Sequence, residues 1–420
     1  MTTSQHISVF ARLDRWWTER APRGEFWALA GAALLFNLGV SVFFFLYNLF
    51  LLGLGFRERS LGVLASSMAL GSMAGTLPMG IAAQRFGLKR VLVTCLLLMA
   101  VASGARVFLL WYPSQVMFAF FDGVMLCGWV VCLAPAVADV VEERKRPFAF
   151  SVLFAIAVAA GSLGGLLGGH LPELFQRLAA RVLVSSLSVV NANKATLLTA
   201  SSLTALAAWP ISRLRNASLL PMSGPSILLP SPFVIRFLIA GGCWAAVLGA
   251  FNPFTNVFFS RYLGVATGHL GNFFSIAQLV QAGAVLLMPF LLRKTGLISG
   301  ILAVQLATAG AIGLLAIGHG VLHEEILYCT YMAAQHMCEP GMQSLLMDQV
   351  AAERRSSAAA MYFLVISIAQ AASAAVAGAA FARYSYPTVL TAISVATMAA
   401  AFGFRILCAP RLLGPAKSVA

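Results

Sequence analysis

The residues of this chain that could do chemistry sit inside long apolar runs, where every ionisable group is costly and therefore a candidate for function. His336 and Glu339 stand three apart and share one helical face. An imidazole beside a carboxyl group in low-dielectric surroundings suits proton exchange. Gln335 precedes this pair, and Pro340 follows it, freeing a backbone carbonyl and allowing the helix to bend. Asp122 lies about eight residues, or ~12 Å, into its run from the outer end. Arg106 falls at a matching depth in the preceding run. The two read as a buried ion pair that either fixes helix packing or presents Asp122 to substrate and protons. Asn37 and Asn48 lie nearly on one face, with Tyr47 beside the second, and Asn252 and Asn256 flank Pro253 and Phe254. Gln278, Gln281 and Gln370 are weaker polar candidates, and Trp129, Trp244 and Phe254 read as packing aromatics rather than stacking platforms for a ligand. His269, His319, His323, Glu324 and Glu325 fall at outer ends without a two-His spacing fixed on one face, so they read as solvated residues and no metal site is expected. The seven cysteines lack paired spacing and read as buried packing thiols.

Membrane helices must position these residues. Of 420 residues, 60% are apolar and only 10% charged, a composition that excludes water as the main solvent. Residues 26–56, 60–84 and 356–382 carry no charge at all, and each is long enough to cross a hydrocarbon core of roughly 20 helical residues. No long alternating pattern suggests a β-barrel. The fold class is therefore an all-α membrane protein of about twelve helices. These lie near 27–54, 60–84, 90–112, 114–139, 147–172, 194–211, 233–260, 267–292, 297–317, 325–347, 357–382 and 387–408. Residues 173–193, with Arg177 and Arg181, read as an amphipathic or extracellular segment leading into the sixth helix, or as an extension of it.

The net charge of +14 is an orientation signal rather than a nucleic-acid footprint. With both termini inside, twenty of the 28 basic residues fall on the cytoplasmic side, seven outside, and Arg106 within a span. Val9 to Trp17 reads as a short amphipathic helix on the inner leaflet.

The longest polar interruption, residues 212–232, is rich in Pro, Gly and Arg and reads as a cytoplasmic linker. It divides the chain into an N-terminal segment 1–25, a six-helix bundle 26–211, a second bundle 233–409 and a tail 410–420. The two bundles repeat one another. Leu61-Gly62 recurs as Leu270-Gly271, Arg85 as Lys294, Gly87 as Gly296, Asp139 as Asp348 and Tyr47 as Asn256, all 209 positions on. Glu143-Arg144 returns as Glu353-Arg354 one residue later. Charged matches carry weight because charged residues are scarce. A parallel six-helix repeat places a substrate path between the halves.

The loop after the second helix spaces Gly80, Gln84, Arg85, Gly87, Lys89 and Arg90 as a Gly, three residues, an acid, a base, one residue, a Gly, one residue and two bases, with Gln84 in place of the acid. This resembles the hallmark loop of the major facilitator superfamily and implies a cytoplasmic gate, with Asp139 as the nearest acidic partner. The run from Ala160 to Gly169 is similar to the antiporter signature of that superfamily, with Ala160 for its first Gly and Gly165 for its Pro. Gly161, Gly164, Gly165, Gly168 and Gly169 otherwise read as a stripe for close helix packing. In the fold so implied, the first, fourth, seventh and tenth helices line a central cavity. Asn37, Tyr47, Asn48, Asp122, Asn252, Asn256, Gln335, His336 and Glu339 would then face it together, with Asp122, His336 and Glu339 handling protons.

The resulting expectation is a bacterial inner-membrane secondary transporter with no cofactor, working as a monomer on a small-molecule substrate with protons as coupling ion. Export of a fairly apolar or cationic solute is the first reading, and uptake of a sugar, carboxylate or amino acid the second. A membrane receptor or enzyme is the third, weakened by the lack of any sizeable soluble segment, phosphate-binding loop or nucleophile–base set.

Overall fold

The computed structural model describes residues 24–142, 145–182, 187–214, 231–318, 320–350 and 355–409. Most of the expected N-terminal segment and linker, the tail, His319 and the Glu143-Arg144/Glu353-Arg354 repeat lie outside these residues.

Among the described residues twelve long helices make up the fold: α1 (Gly24–Gly53), α2 (Glu58–Phe86), α3 (Leu88–Phe108), α4 (Tyr112–Val140), α5 (Arg146–Val182), α6 (Val189–Leu206), α7 (Pro232–Phe251), α8 (Thr267–Thr295), α9 (Leu297–Ile317), α10 (Val321–Asp348), α11 (Arg355–Phe381) and α12 (Tyr386–Cys408). Several begin at sequence-encoded caps. The side chains of Ser188, Ser231 and Ser385 accept from the amides of Asn191, Val234 and Thr388, and prolines stand in the first turns of α4, α7 and α12. Among the described residues, eleven spans are long and apolar enough to cross a membrane. The remaining long helix, α10, is 28 residues long but carries Glu324, Glu325 and Glu339, which dilute its hydropathy.

Several boundaries differ from those read in the sequence, among them the sixth helix, which starts at Val189 and ends at Leu206. Helix α5 runs past Pro172 to Val182 as 37 residues, roughly 55 Å, longer than a hydrocarbon core of ~30 Å. Residues 173–182 thus belong to the fifth helix. Pro172 removes only one backbone donor, which does not stop a helix near its polar end. Helix α3 ends at Phe108, and Trp111 instead caps the start of α4 ahead of Pro113.

Helices α1–α6 pack on one another, as do α7–α12, and the halves meet where α2 lies on α11 and α5 on α8. The face bearing the start of α1 and the end of α12 is the terminal face, and the opposite one is the far face. Gly87 (φ 87°) and Gly296 (φ 81°) make the turns after α2 and α8, 209 positions apart, in a conformation that side chains with a Cβ rarely adopt. The cores are arranged asymmetrically along the membrane normal. On the far side one buried cluster, including Phe50, Phe251, Phe259 and Phe381, crosses the seam between the halves. Towards the terminal face each half has its own core, around Trp129 in one and Trp244 in the other.

Candidate functional site

Helix α7 cannot run straight through Asn252-Pro253, because the proline lacks the amide that would bond one turn back. The chain tightens into a 3₁₀ turn over Asn252–Phe254 and later widens into a π turn over Phe258–Tyr262. The carbonyl of Pro253 is left to accept from Asn48 Nδ2 at 2.9 Å, across the seam. Asn256 Nδ2 returns the favour to Phe45 O, also at 2.9 Å. Two amides thus stitch α1 to α7 reciprocally. Because both acceptors are backbone carbonyls, the amide orientations are determined, and Asn256 Oδ1 is left buried without a partner.

On the N-terminal side the expected pair of Arg106 and Asp122 forms, with Nη1 2.7 Å from Oδ2 and both side chains buried. Ser103 Oγ donates to Asp122 Oδ1 at 3.2 Å. The guanidinium lies 4.2 Å from the centroid of the Tyr47 ring. The Tyr47 hydroxyl donates to Gln115 Oε1, and Gln115 Nε2 donates to the carbonyls of Arg106 (2.7 Å) and Leu109 (2.8 Å). A charge pair so far from water holds only because nearly every polar atom has a partner. Arg106 Nε is the exception.

These elements surround a cavity of about 460 Å³ between the halves. Of the residues expected at such a cavity, Tyr47, Asn48, Asn252, Asn256, Gln335 and His336 line it. Three do not, and their placement corrects the expectation. Asn37 turns back to donate to Ala33 O at 2.7 Å. Asp122 is held behind Arg106 in the interior of its own half. Glu339, exposed and one turn beyond His336, accepts from Gln343 Nε2 at 2.9 Å and stands outside the lining. Sequence reasoning missed Tyr328 as a wall residue, ranked Gln278 too low, and did not find Gln115, whose role depends on a contact 68 residues away. Trp129 stacks on Phe36 at 4.4 Å, Phe254 packs on Phe381 at 5.1 Å, and Trp244 is buried in the core of its half, so all three serve packing.

Towards the far side of the cavity the halves are joined by hydrogen bonds. Glu58 Oε1 accepts from Arg261 Nη1 at 2.7 Å and from the Tyr386 hydroxyl at 3.3 Å. Ser275 Oγ and Ser162 Oγ each donate to the other's carbonyl, at 2.5 and 3.1 Å. His170 Nε2 and Asn272 Oδ1 lie 2.7 Å apart. The glycine stripe of α5 faces two neighbours, with Gly164 and Gly168 against Ser41 and Phe45 of α1, and Gly161, Gly165 and Gly169 against α8. A Cβ on Gly169 would stand 2.9 Å from Gly271 Cα, and one on Gly378 would stand 2.9 Å from Gly62 Cα. These two crossings are the same contact repeated 209 positions apart.

The expected gating residues cluster at the terminal face. Gln84, Arg85, Arg90 and Asp139 are exposed there, and the Arg85 guanidinium sits 5.5 Å from the Phe86 ring centroid. Gly80 and Lys89 are half-buried. At the far rim His269 pairs with Glu325 at 2.6 Å, while Glu324 is buried in the first turn of α10. The seven cysteines are all free thiols.

The description of the Major Facilitator Superfamily matches residues 29–374. No curated protein matches the sequence significantly. Among solved structures, the nucleoside transporter NupG superposes with a TM-score of 0.74 at 16% identity, over 93% of this chain and all (100%) of that one. A bacterial homologue of the human lysosomal transporter Spinster, inward-facing and occupied, gives 0.73 at 14% identity over 91% and 94%. The xylose transporter XylE from E. coli, inward open, gives 0.70 at 13% over 90% and 94%. At these identities the likeness is one of fold.

Proposed function

The chain belongs to the Major Facilitator Superfamily, and from that membership we propose that it is a proton-coupled secondary transporter exporting a small organic solute across the inner membrane by alternating access. It is a transporter by family and fold, not an enzyme. The observation that carries the mechanism is the asymmetry of the seam. The halves share one core and a set of cross-bonds at the far face but keep separate cores towards the terminal face, with the cavity between. Such an arrangement is one end of a rocking motion about a central site. The excess of basic residues at the terminal face supports placing that face, and both termini, in the cytoplasm. On this reading the exposed Arg85 loop, with Asp139 on the same half, meets the opposite half only when the cytoplasmic side closes. His336 at the cavity and Glu339 one turn beyond supply the proton site, and the antiporter-like stripe of α5 favours export. The protein works as a monomer.

Reconstitution into proteoliposomes with an imposed pH gradient and a mixed solute panel tests this. Solute should move against the direction of proton flow and stop when the gradient is collapsed. Movement with the protons would replace export by uptake, and the absence of transport under any gradient would remove the reading.

A further inference from the structure

The chemistry of the cavity lining narrows the solute. Resting on the transport reading, we infer that the site takes an uncharged solute with a flat or apolar body and at least two N–H or O–H donors, which meet the side-chain oxygens of Asn256 and Gln335.

The first observation concerns charge. Among the described residues that line the cavity, Arg106 alone carries a fixed charge, and Asp122 at 2.7 Å neutralises it from behind. Neither Asp122 nor Glu339 reaches the lining. An anion would have to compete with a carboxylate already seated on the guanidinium, and a cation would find no carboxylate to meet it. A charge moved out of water into such a site without a counter-charge is strongly disfavoured, whereas a neutral polar solute needs only hydrogen bonds.

The second observation concerns the polar atoms. Asn256 is 5% and Gln335 2% exposed, both line the cavity, and both have a side-chain oxygen with no partner. The Asn256 oxygen is identified by its own amide nitrogen, which is committed to Phe45 O. Gln335 Nε2 is turned to Met332 Sδ at 3.0 Å, leaving its oxygen as the free end. Buried amide oxygens without donors cost stability, and native interiors seldom keep two in one cavity unless something else satisfies them.

The third observation is the shape of the apolar wall. Phe44, Phe45, Phe274 and Tyr328 supply ring surfaces, and Met68 and Met332 supply adaptable thioethers. Rings and thioethers suit a planar or compact apolar body, and a cavity of about 460 Å³ is in the range for a single small organic molecule.

The test uses the full-length purified protein and sets of probes that share a body but differ in charge. One such set is indole-3-acetamide, indole-3-acetate and tryptamine, and another is nicotinamide and nicotinate. Binding is read by thermal shift and by equilibrium titration. The neutral, donor-bearing members should bind at least tenfold more tightly than their charged partners. Gln335→Met should weaken that binding about tenfold without lowering the melting temperature, since it removes an unsatisfied oxygen and keeps the volume. Gln335→Glu should shift preference towards tryptamine. Tighter binding of the charged members, binding by none of the probes, or a Gln335→Met protein that binds as well as the parent would each overturn the inference. Vesicle transport separates the two claims. Transport of charged solutes alone refutes this assignment and leaves the transporter reading standing. Selective binding of neutral probes with no transport does the reverse.

Discussion

Glu58, in the first turn of α2, holds Arg261, in the π turn that follows α7, with Oε1 and Nη1 2.7 Å apart across the seam between the two halves. The carboxylate is mostly buried and the guanidinium about half exposed. Tyr386 adds a third element, α12, to the same carboxylate. Because the pair is partly solvated, its net worth is about 1 kcal/mol or less.

Glu58→Gln should therefore loosen the far face rather than unfold the protein. A cysteine introduced beside this seam should react with a membrane-impermeant thiol reagent roughly two- to fivefold faster than in the parent, on the scale of about 1 kcal/mol. An unchanged labelling rate would show that the pair does not contribute to closure.

The Arg106–Asp122 pair behaves differently because both side chains are almost fully buried. Asp122→Ala leaves an uncompensated guanidinium and should destabilise by about 3–5 kcal/mol. Combining it with Arg106→Met should restore much of that loss. Thermal unfolding of the single and double variants checks this, and equal losses in both would argue against the pair as the cause.

The glycine crossings predict a symmetrical phenotype. Gly169→Ala and Gly378→Ala each drive a methyl to about 2.9 Å from the Cα of Gly271 and Gly62. Each should cost about 1–3 kcal/mol by overpacking and bias the halves apart at the far face. Distance measurements between spin labels on the far ends of α2 and α11, and of α5 and α8, should report the same direction of change for both. A shift in only one variant would mean that the repeat is structural but not energetic.

If the proposed proton site at His336 and Glu339 carries the coupling, Glu339→Gln should abolish gradient-driven transport while solute exchange at equal pH persists. Parallel measurement of solute and proton flux in vesicles decides it. A Glu339→Gln protein that still moves protons with solute would falsify the assignment.

Much of the architecture was legible in the chain itself. Uncharged runs of more than twenty residues admit only a membrane helix. The recurrence of Gly87 as Gly296 marks two equivalent turns, both of which adopt positive φ. The pairing of Arg106 with Asp122 was also readable, because two opposite charges at one depth in hydrocarbon have little alternative to meeting. What failed was the rotational setting of individual helices. Asn37, Asp122 and Glu339 were assigned to the cavity by helix membership. A helix has several faces, and the hydrophobic pattern of one surrounded by lipid and protein does not say which face meets the cavity. The length of α5 was missed because residues 173–193, with Arg177 and Arg181, read as an amphipathic or extracellular segment.

The sequence by itself determined that this chain spans a membrane with about twelve helices in two repeated halves, because solvation of apolar side chains and of backbone amides is a local matter. Only the tertiary structure decided that Glu58 meets Arg261, that Asn48 and Asn256 stitch the first helix to the seventh, and that the oxygens of Asn256 and Gln335 are left free at a cavity without net fixed charge. Those contacts join residues some 200 positions apart, and their partners are chosen by how two bundles dock, which no stretch of sequence encodes alone.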